Sequence, residues 1–373
     1  MRAALFGLAL LTAASAALAQ DASPFAPPAP AKPKILRLLA PANAIDPAML
    51  EMFERESGYE VAYDSYVGAP GLAERWREGP YDLAMLPGPA LARYAAGGAL
   101  QKLDRAQAPN ARAVSPALAA KLAAYDPGGR FAVAADWAAT GLVFDAGKAA
   151  KALGAAPNSW AALFAPDAAA RLRDCGIALP DQRDELFIAA LRYLGVDPNR
   201  PREIDVAAAA GAILRTRLLA KFFAAPDTAR LLASGSACIT LGGEALARFA
   251  YRASASAGVR LNISFLLPRE GGPMAIDTFA IPADARQSAQ AYALLDFLLR
   301  PAVMAGDASY SGMNPPNAGG RDADLKTLWP VGAFSPPLEA LVAGAWERLR
   351  GLDKAPKPVP KPKIAAKRTK TPP

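Results

Sequence analysis

The sequence contains no histidine. Hydrolysis that leans on an imidazole base is therefore excluded, and any metal binding is left mainly to carboxylates. Cysteine is nearly absent too, with only Cys175 and Cys238. In an oxidising compartment such a pair forms at most one disulfide; otherwise it is two unrelated buried thiols. Beyond the first twenty residues no apolar run reaches the roughly 18 residues that a membrane span needs, so the chain is not expected to be membrane-embedded. The body has little net charge. The whole chain carries +8, and the seven Lys and Arg from Lys354 onward account for all but about one of it. That distribution argues against a basic groove and a nucleic-acid partner. No metal-ligand cluster, cofactor motif or nucleophile motif is legible either, so no cofactor and no enzymatic activity are expected.

What is present begins with MRAALFGLALLTAASAALAQ. Arg2, the apolar stretch 3–11 and the small-residue exit Ala17-Leu18-Ala19 read as a signal peptide over 1–19, which sends the protein to the periplasm. No cysteine follows the cleavage point to carry a lipid. Residues 20–34 form a Pro/Ala linker, and 353–373 a Lys/Pro-rich tail that cannot bury apolar surface and is expected to be disordered. The roughly 350 residues left after cleavage exceed one ordinary core and predict two lobes.

Between these ends strands and helices alternate. Apolar runs at 35–40, 60–66 and 81–86 read as strands. Asp46-Pro47 starts a helix between the first two, with a capping residue followed by proline at the first helical position, and Gly58 ends it. Residues 131–144 hold two strands around Trp137 and Gly141. Further strands are expected at 175–179 and 237–241, and an Ala-rich helix over 205–223. Residues 261–301 read as strand, Gly/Pro crossover, strand and helix, the last capped by Asp284. Past Pro301 the pattern loosens into turns, until a final helix at about 337–349 buries Leu338, Leu341 and Trp346. The alternation predicts an α/β chain with mostly parallel sheets flanked by helices. Within the strand 276–281 stands one carboxylate, Asp277, which is costly there unless a cation or hydrogen-bond donor meets it.

The segment SFLLPREGGPMAIDTFAIPADA…AYALLDFLLRP, together with DPAMLEMFERESG, Thr140-Gly141, NSW at 158–160, Cys175-Gly176 and RYLGVDPN, resembles the periplasmic putrescine- and spermidine-binding proteins of ABC transporters. The likeness covers about 36–320. It implies a two-lobed periplasmic-binding-protein fold joined by hinge strands near 138–141 and 267–272. Lobe 1 would comprise 35–138 plus 268–320, and lobe 2 139–267 plus 321–352. It also implies a Cys175–Cys238 disulfide, a small cationic, polyamine-like ligand between the lobes, a monomer, and delivery to an inner-membrane permease. An alternative is a transport-inactive homologue that serves as a ligand sensor or envelope interaction protein.

A polyamine needs carboxylates at its ends and aromatic faces along its methylene spine. The resemblance places Asp277 at the strand carboxylate and Glu185 at the acid opening the second-lobe helix. Glu185 reads equally well as a solvated acid favoured by a helix N-terminus. Asn43 stands where the family's first motif, Asn-Trp-Ser-Asp-Tyr, has Asp, in a run that here is Ala40-Pro41-Ala42-Asn43-Ala44. The family's Gly-Trp-Ala-Gly-Asp turn becomes Gly242-Gly243-Glu244-Ala245-Leu246, which leaves Glu244 as a substitute acid or as a plain first-turn acid. Ala275 and Met313 replace a Phe and a Tyr, and Pro87-Gly88-Pro89 replaces a Ser-rich loop. Asp136 and Trp137 lie near the first crossover, where both are candidates to face the cleft, Trp137 alternatively packing in the core. The ligand set expected is Asp277, Glu185, Asn43, Glu244 and Trp137, in a pocket that has lost most of its aromatic box.

Overall fold

The computed structural model describes residues 34–317, 321–332 and 334–351. The expected signal peptide, most of the linker and the Lys/Pro tail lie outside the described residues; Lys34, the last linker residue, already belongs to the first strand.

Eleven strands appear among the described residues: β1 (Lys34–Pro41), β2 (Tyr59–Tyr66), β3 (Leu83–Pro87), β4 (Ala132–Ala139), β5 (Gly141–Asp145), β6 (Ile177–Pro180), β7 (Phe222–Ala225), β8 (Ile239–Gly242), β9 (Ile263–Leu266), β10 (Gly272–Ala280) and β11 (Leu328–Pro330). They form two sheets, which gives the two-lobed α/β architecture the sequence implied. In the first sheet the order is β11-β10-β3-β1-β2. β4 lies along the other edge of β10. The second runs β7-β6-β8-β5-β9.

Each sheet has a parallel half and an antiparallel half. β1 runs parallel to β2 and β3, and β6 to β7 and β8. The strands that enter or leave the crossovers are antiparallel to neighbours, as with β10 on β3 and β4 and β5 on β8 and β9. The expectation of mostly parallel sheets holds for β1 on β2 and β3, β6 on β7 and β8, and β10 on β11; every antiparallel pair among the described residues involves β5 or β10, the strands that follow the two passages between the sheets. Helices cover both faces. One face of the first sheet packs Leu36, Leu38 and Phe279 against Phe53 and Phe297, and the other packs Leu39, Leu86 and Trp137 against Leu72 and Leu118. A strand apolar on both faces is what a two-sided parallel sheet requires.

The first helix, Pro47–Ser57, starts as read. Asp46 accepts from the Ala48 N–H at 2.9 Å, and Gly58 closes the helix at φ +70°. Other boundaries moved. β10 begins at Gly272, four residues before the apolar run, because Gly272 and Pro273 pair with β11 and supply a rung without an apolar side chain. Asp284 does not cap the next helix, which runs Ser288–Leu298 after Gln287. The turns expected after Pro301 are instead a helix, Pro301–Ser311, with Pro301 in its first turn, Val303 and Met304 buried, and Gly312 ending it. The Ala-rich helix stops at Leu219, and Phe222 and Phe223 enter β7. In the last helix, Pro336–Gly351, Trp346 is buried as expected but Leu341 is exposed; Val342, Ala345 and Leu349 face the core instead. Past residue 320 the chain touches both lobes: β11 pairs with β10 in the first sheet, while Trp329 and the last helix pack on the second lobe.

The chain passes between sheets through Thr140 and through residues 267–271. The second passage is held tightly. Trp160 Nε1 donates to the Gly271 carbonyl at 2.7 Å, Arg192 Nε donates to the Glu270 carbonyl at 2.9 Å, and the Ser159 hydroxyl donates to the Glu270 carboxylate. Gly271 sits at φ +72°, and a Cβ there would overlap the Thr327 carbonyl. Only glycine meets both conditions.

Candidate functional site

Parallel strands end where ligands of open α/β sheets commonly bind, at their carboxyl edge. Here β1 ends at Pro41 and β3 at Pro87. Opposite Pro87, across the antiparallel β10, stands Asp277, and opposite Asp277 on its other side stands Asp136 of β4. Two carboxylates directly across a strand pair repel unless a proton or a cation comes between them. Asp136 is only 8% exposed, and its Oδ1 has no hydrogen-bond partner. Burial first, then Asp277 and Asp307, hold the Asp136 carboxyl well above the usual range. Burial likewise lifts Asp277 to about 6. A small cavity of about 20 Å³, room for about one water, is lined by Asp136, Asp307, Met85 and Pro315. Asp307 accepts from the Asp46 N–H at 2.9 Å, and burial, with Asp46 adding to it, raises its carboxyl to about 7.

The rim of this acidic region is fixed by backbone contacts. Thr278 Oγ1 donates to the Leu86 carbonyl and Tyr66 Oη to the Met85 carbonyl, both at 2.9 Å. Gly88 opens the helix Gly88–Ala96, and the ring of Tyr125 lies so close to it that any Cβ would overlap the ring. Tyr125 donates to the Val331 carbonyl, and Asp184, Glu185 and Asp277 all raise its phenol further after burial. Glu185 lies partly buried in the first turn of the helix Arg183–Tyr193. Burial raises its carboxyl, Asp184 adds to that, and Arg183 opposes it. Its reading as a freely solvated helix acid is therefore displaced.

The remaining candidates diverge. Trp137 is 0% exposed, packs in the core of the first lobe and donates from Nε1 to the Pro315 carbonyl at 3.2 Å. The Arg321 guanidinium lies 5.4 Å from the centre of its ring. Glu244 opens the helix Glu244–Ser256 and accepts from Arg321 Nη1 at 2.9 Å. Both are thus engaged with Arg321. Asn43 adopts φ +61° in the turn after β1, is exposed, and lines a separate hollow with Tyr63, Ser65 and Tyr310. Asp277 is paired with Asp136, Glu185 stands in the first turn of a second-lobe helix, and Asn43 is grouped with neither. Cys175 and Cys238 form a disulfide, with Cα atoms 5.6 Å apart.

Three participants escape a reading by residue type: Arg321, Asp307 and Tyr125. Nothing local marks them, since each reaches the site through partners far away in sequence. Chemically the arrangement offers converging, partly buried carboxylates. Among the described residues no three His, Cys, Asp or Glu side chains are placed to hold a metal ion. No helix of the described residues is long and apolar enough to cross a membrane.

Comparison with known proteins agrees with this fold. Residues 48–329 match the family described as bacterial extracellular solute-binding protein. The chain is 31% identical over 280 residues to the putrescine-binding periplasmic protein PotF of Escherichia coli (strain K12), covering 74% of this chain and 76% of that protein. It is 33% identical over 273 residues to a putrescine/agmatine-binding protein of Pseudomonas aeruginosa, covering 72% and 74%. Among solved structures it resembles the spermidine/putrescine ABC transporter substrate-binding protein PotD of Streptococcus pneumoniae, with a TM-score of 0.74 at 18% identity over 85% of this chain and 98% of that one. The match to PotD shows the shared fold, and the relatives bear out the resemblance to polyamine-binding periplasmic proteins that the motifs carried. With well over half its length matched, the chain belongs to the bacterial extracellular solute-binding protein family, whose members bind solutes and are not enzymes.

Proposed function

We propose that this protein is exported to the periplasm by its N-terminal signal peptide, binds a small cationic, polyamine-like ligand between its lobes, and delivers it to an inner-membrane ABC permease. The observation that carries the reading is the Asp277–Asp136 pair across β10 and β4, with a buried Asp136 oxygen that lacks a partner. A ligand ammonium between such carboxylates relieves their repulsion and supplies the missing hydrogen bond. Glu185, partly buried in the first turn of the second-lobe helix, meets a second ammonium from the other lobe. The named relatives bind putrescine, agmatine or spermidine, which supports a di- or polyamine as ligand class.

Calorimetric titration of refolded, ligand-stripped protein with putrescine, agmatine, spermidine and basic amino acids tests this. Micromolar or tighter binding of an amine is expected, with a loss of at least tenfold in Asp277→Asn and in Glu185→Gln. Unaltered binding in both variants removes these residues from the site. Silence of the wild-type protein across the whole panel removes the amine ligand and favours a sensor or envelope role.

A further inference from the structure

Arg321 is held by groups from both lobes. Its Nη1 donates to Glu244 Oε1 at 2.9 Å and to Asn314 Oδ1 at 3.1 Å, and its Nε donates to Asp324 Oδ2 at 2.8 Å. Its guanidinium lies 5.4 Å from the centre of the Trp137 ring, inside the range of a cation–π contact. Two carboxylates, an amide oxygen and an indole face are the components from which a receptor for an alkylammonium is made. They come from different parts of the molecule. Glu244 belongs to a second-lobe helix, Trp137 to β4 of the first sheet, and Asn314 bridges to Trp137 through the backbone. A guanidinium keeps its charge at every working pH, so this station stays filled.

We infer that Arg321 is a specificity-determining residue, a built-in cation that occupies the third of three cation stations and so restricts the cleft to ligands with two charged nitrogens. The inference rests on the amine-binding reading above. The other stations are the Asp277–Asp136 pair and Glu185. Arg321 offsets one of the two carboxylate charges of Glu244 and Asp324, takes an oxygen of each as acceptor and covers the Trp137 ring, so a third ligand nitrogen entering this station meets a like charge already in place. Removing the guanidinium leaves the acceptor set intact for an ammonium brought by the ligand.

The test is calorimetric titration of the full mature chain and of Arg321→Met, Arg321→Gln and Arg321→Lys with putrescine, a diamine, and spermidine, a triamine. Thermal melts of each variant confirm that it folds. The wild-type protein is expected to favour putrescine. In Arg321→Met spermidine affinity is expected to rise at least tenfold while putrescine affinity stays within about threefold, equivalent to about 1.4 kcal/mol placed on the third nitrogen alone. Arg321→Lys is expected to keep the wild-type preference, since its ammonium can return to the indole face. Arg321→Gln removes the charge but keeps a hydrogen-bonding side chain, and serves if the Met variant does not fold. A spermidine-to-putrescine ratio equal to wild type in the uncharged variants overturns the inference while leaving the amine-binding function standing. Absence of amine binding in wild type and every variant overturns both.

Discussion

A carboxylate displaced upward by burial makes the folded protein a proton acceptor. Asp307 and Asp277 titrate near 7 and 6 in the folded chain, against an unfolded value near 4. Between about pH 4 and 7 the folded state then holds more protons than the unfolded one, so stability falls as pH rises through that window. For the ligand-free protein we expect the urea midpoint to drop from pH 5 to pH 8, with Asp307→Asn flattening the slope. The Asn retains an acceptor for the Asp46 N–H and is expected to add about 1–3 kcal/mol at pH 8. An unchanged slope in the variant would place the proton elsewhere. Ligand binding runs the other way, because a cation needs Asp277 ionised and is lost as pH falls through about 6.

At the scale of elements, the second sheet carries a covalent tie. Cys175 precedes β6 and Cys238 precedes β8, its parallel neighbour, and the Cys238 N–H donates to the Gly176 carbonyl at 2.8 Å. The disulfide closes a separation of 63 residues. On the chain-entropy model this contributes about 4 kcal/mol by restricting the unfolded chain. The Cys175→Ser, Cys238→Ser double variant is expected to lose about that much in urea unfolding, with ligand affinity unchanged within about twofold. A loss below about 1 kcal/mol would mean that the sheet needs no tie. The elements themselves were legible to differing degrees. Pro47–Ser57 was readable because cap, proline and terminal glycine are all local. The helix Pro301–Ser311 was not, because its Gly and Ser content matches a turn and only contact at Gly306 with Met49, far upstream, makes small residues an advantage there.

At the scale of the whole molecule, the lobes meet through long-range bonds. Arg248 Nη2 donates to the Gly312 carbonyl at 2.6 Å, and Arg321 joins Glu244 to the first-lobe segment. A ligand that adds its own bridge between Asp277 and Glu185 binds the folded state alone and stabilises it. At a hundredfold excess over Kd, putrescine is expected to add about 2.7 kcal/mol, read as a rise of a few degrees in Tm. The same addition to Asp277→Asn is expected to leave Tm nearly still. An equal shift in that variant would place the ligand away from Asp277.

The strands and helices up to Pro301 in outline, the two-lobed α/β class, the family and the lone carboxylate of β10 were determined by the sequence alone, since apolar period, caps and ordered motifs are local quantities; β7, β11 and the helix Pro301–Ser311 were not. The lining of the cleft was decided by tertiary structure. Trp137 and Glu244 carry the residue types a cation site wants, yet whether their faces are open or covered depends on Arg321, which arrives from 184 positions beyond Trp137 along the chain. Asp136 reads only as a candidate for the cleft near the first crossover until the register of β4 on β10 sets it opposite Asp277. Charge repulsion and desolvation depend on distance in space, and no local pattern encodes that distance.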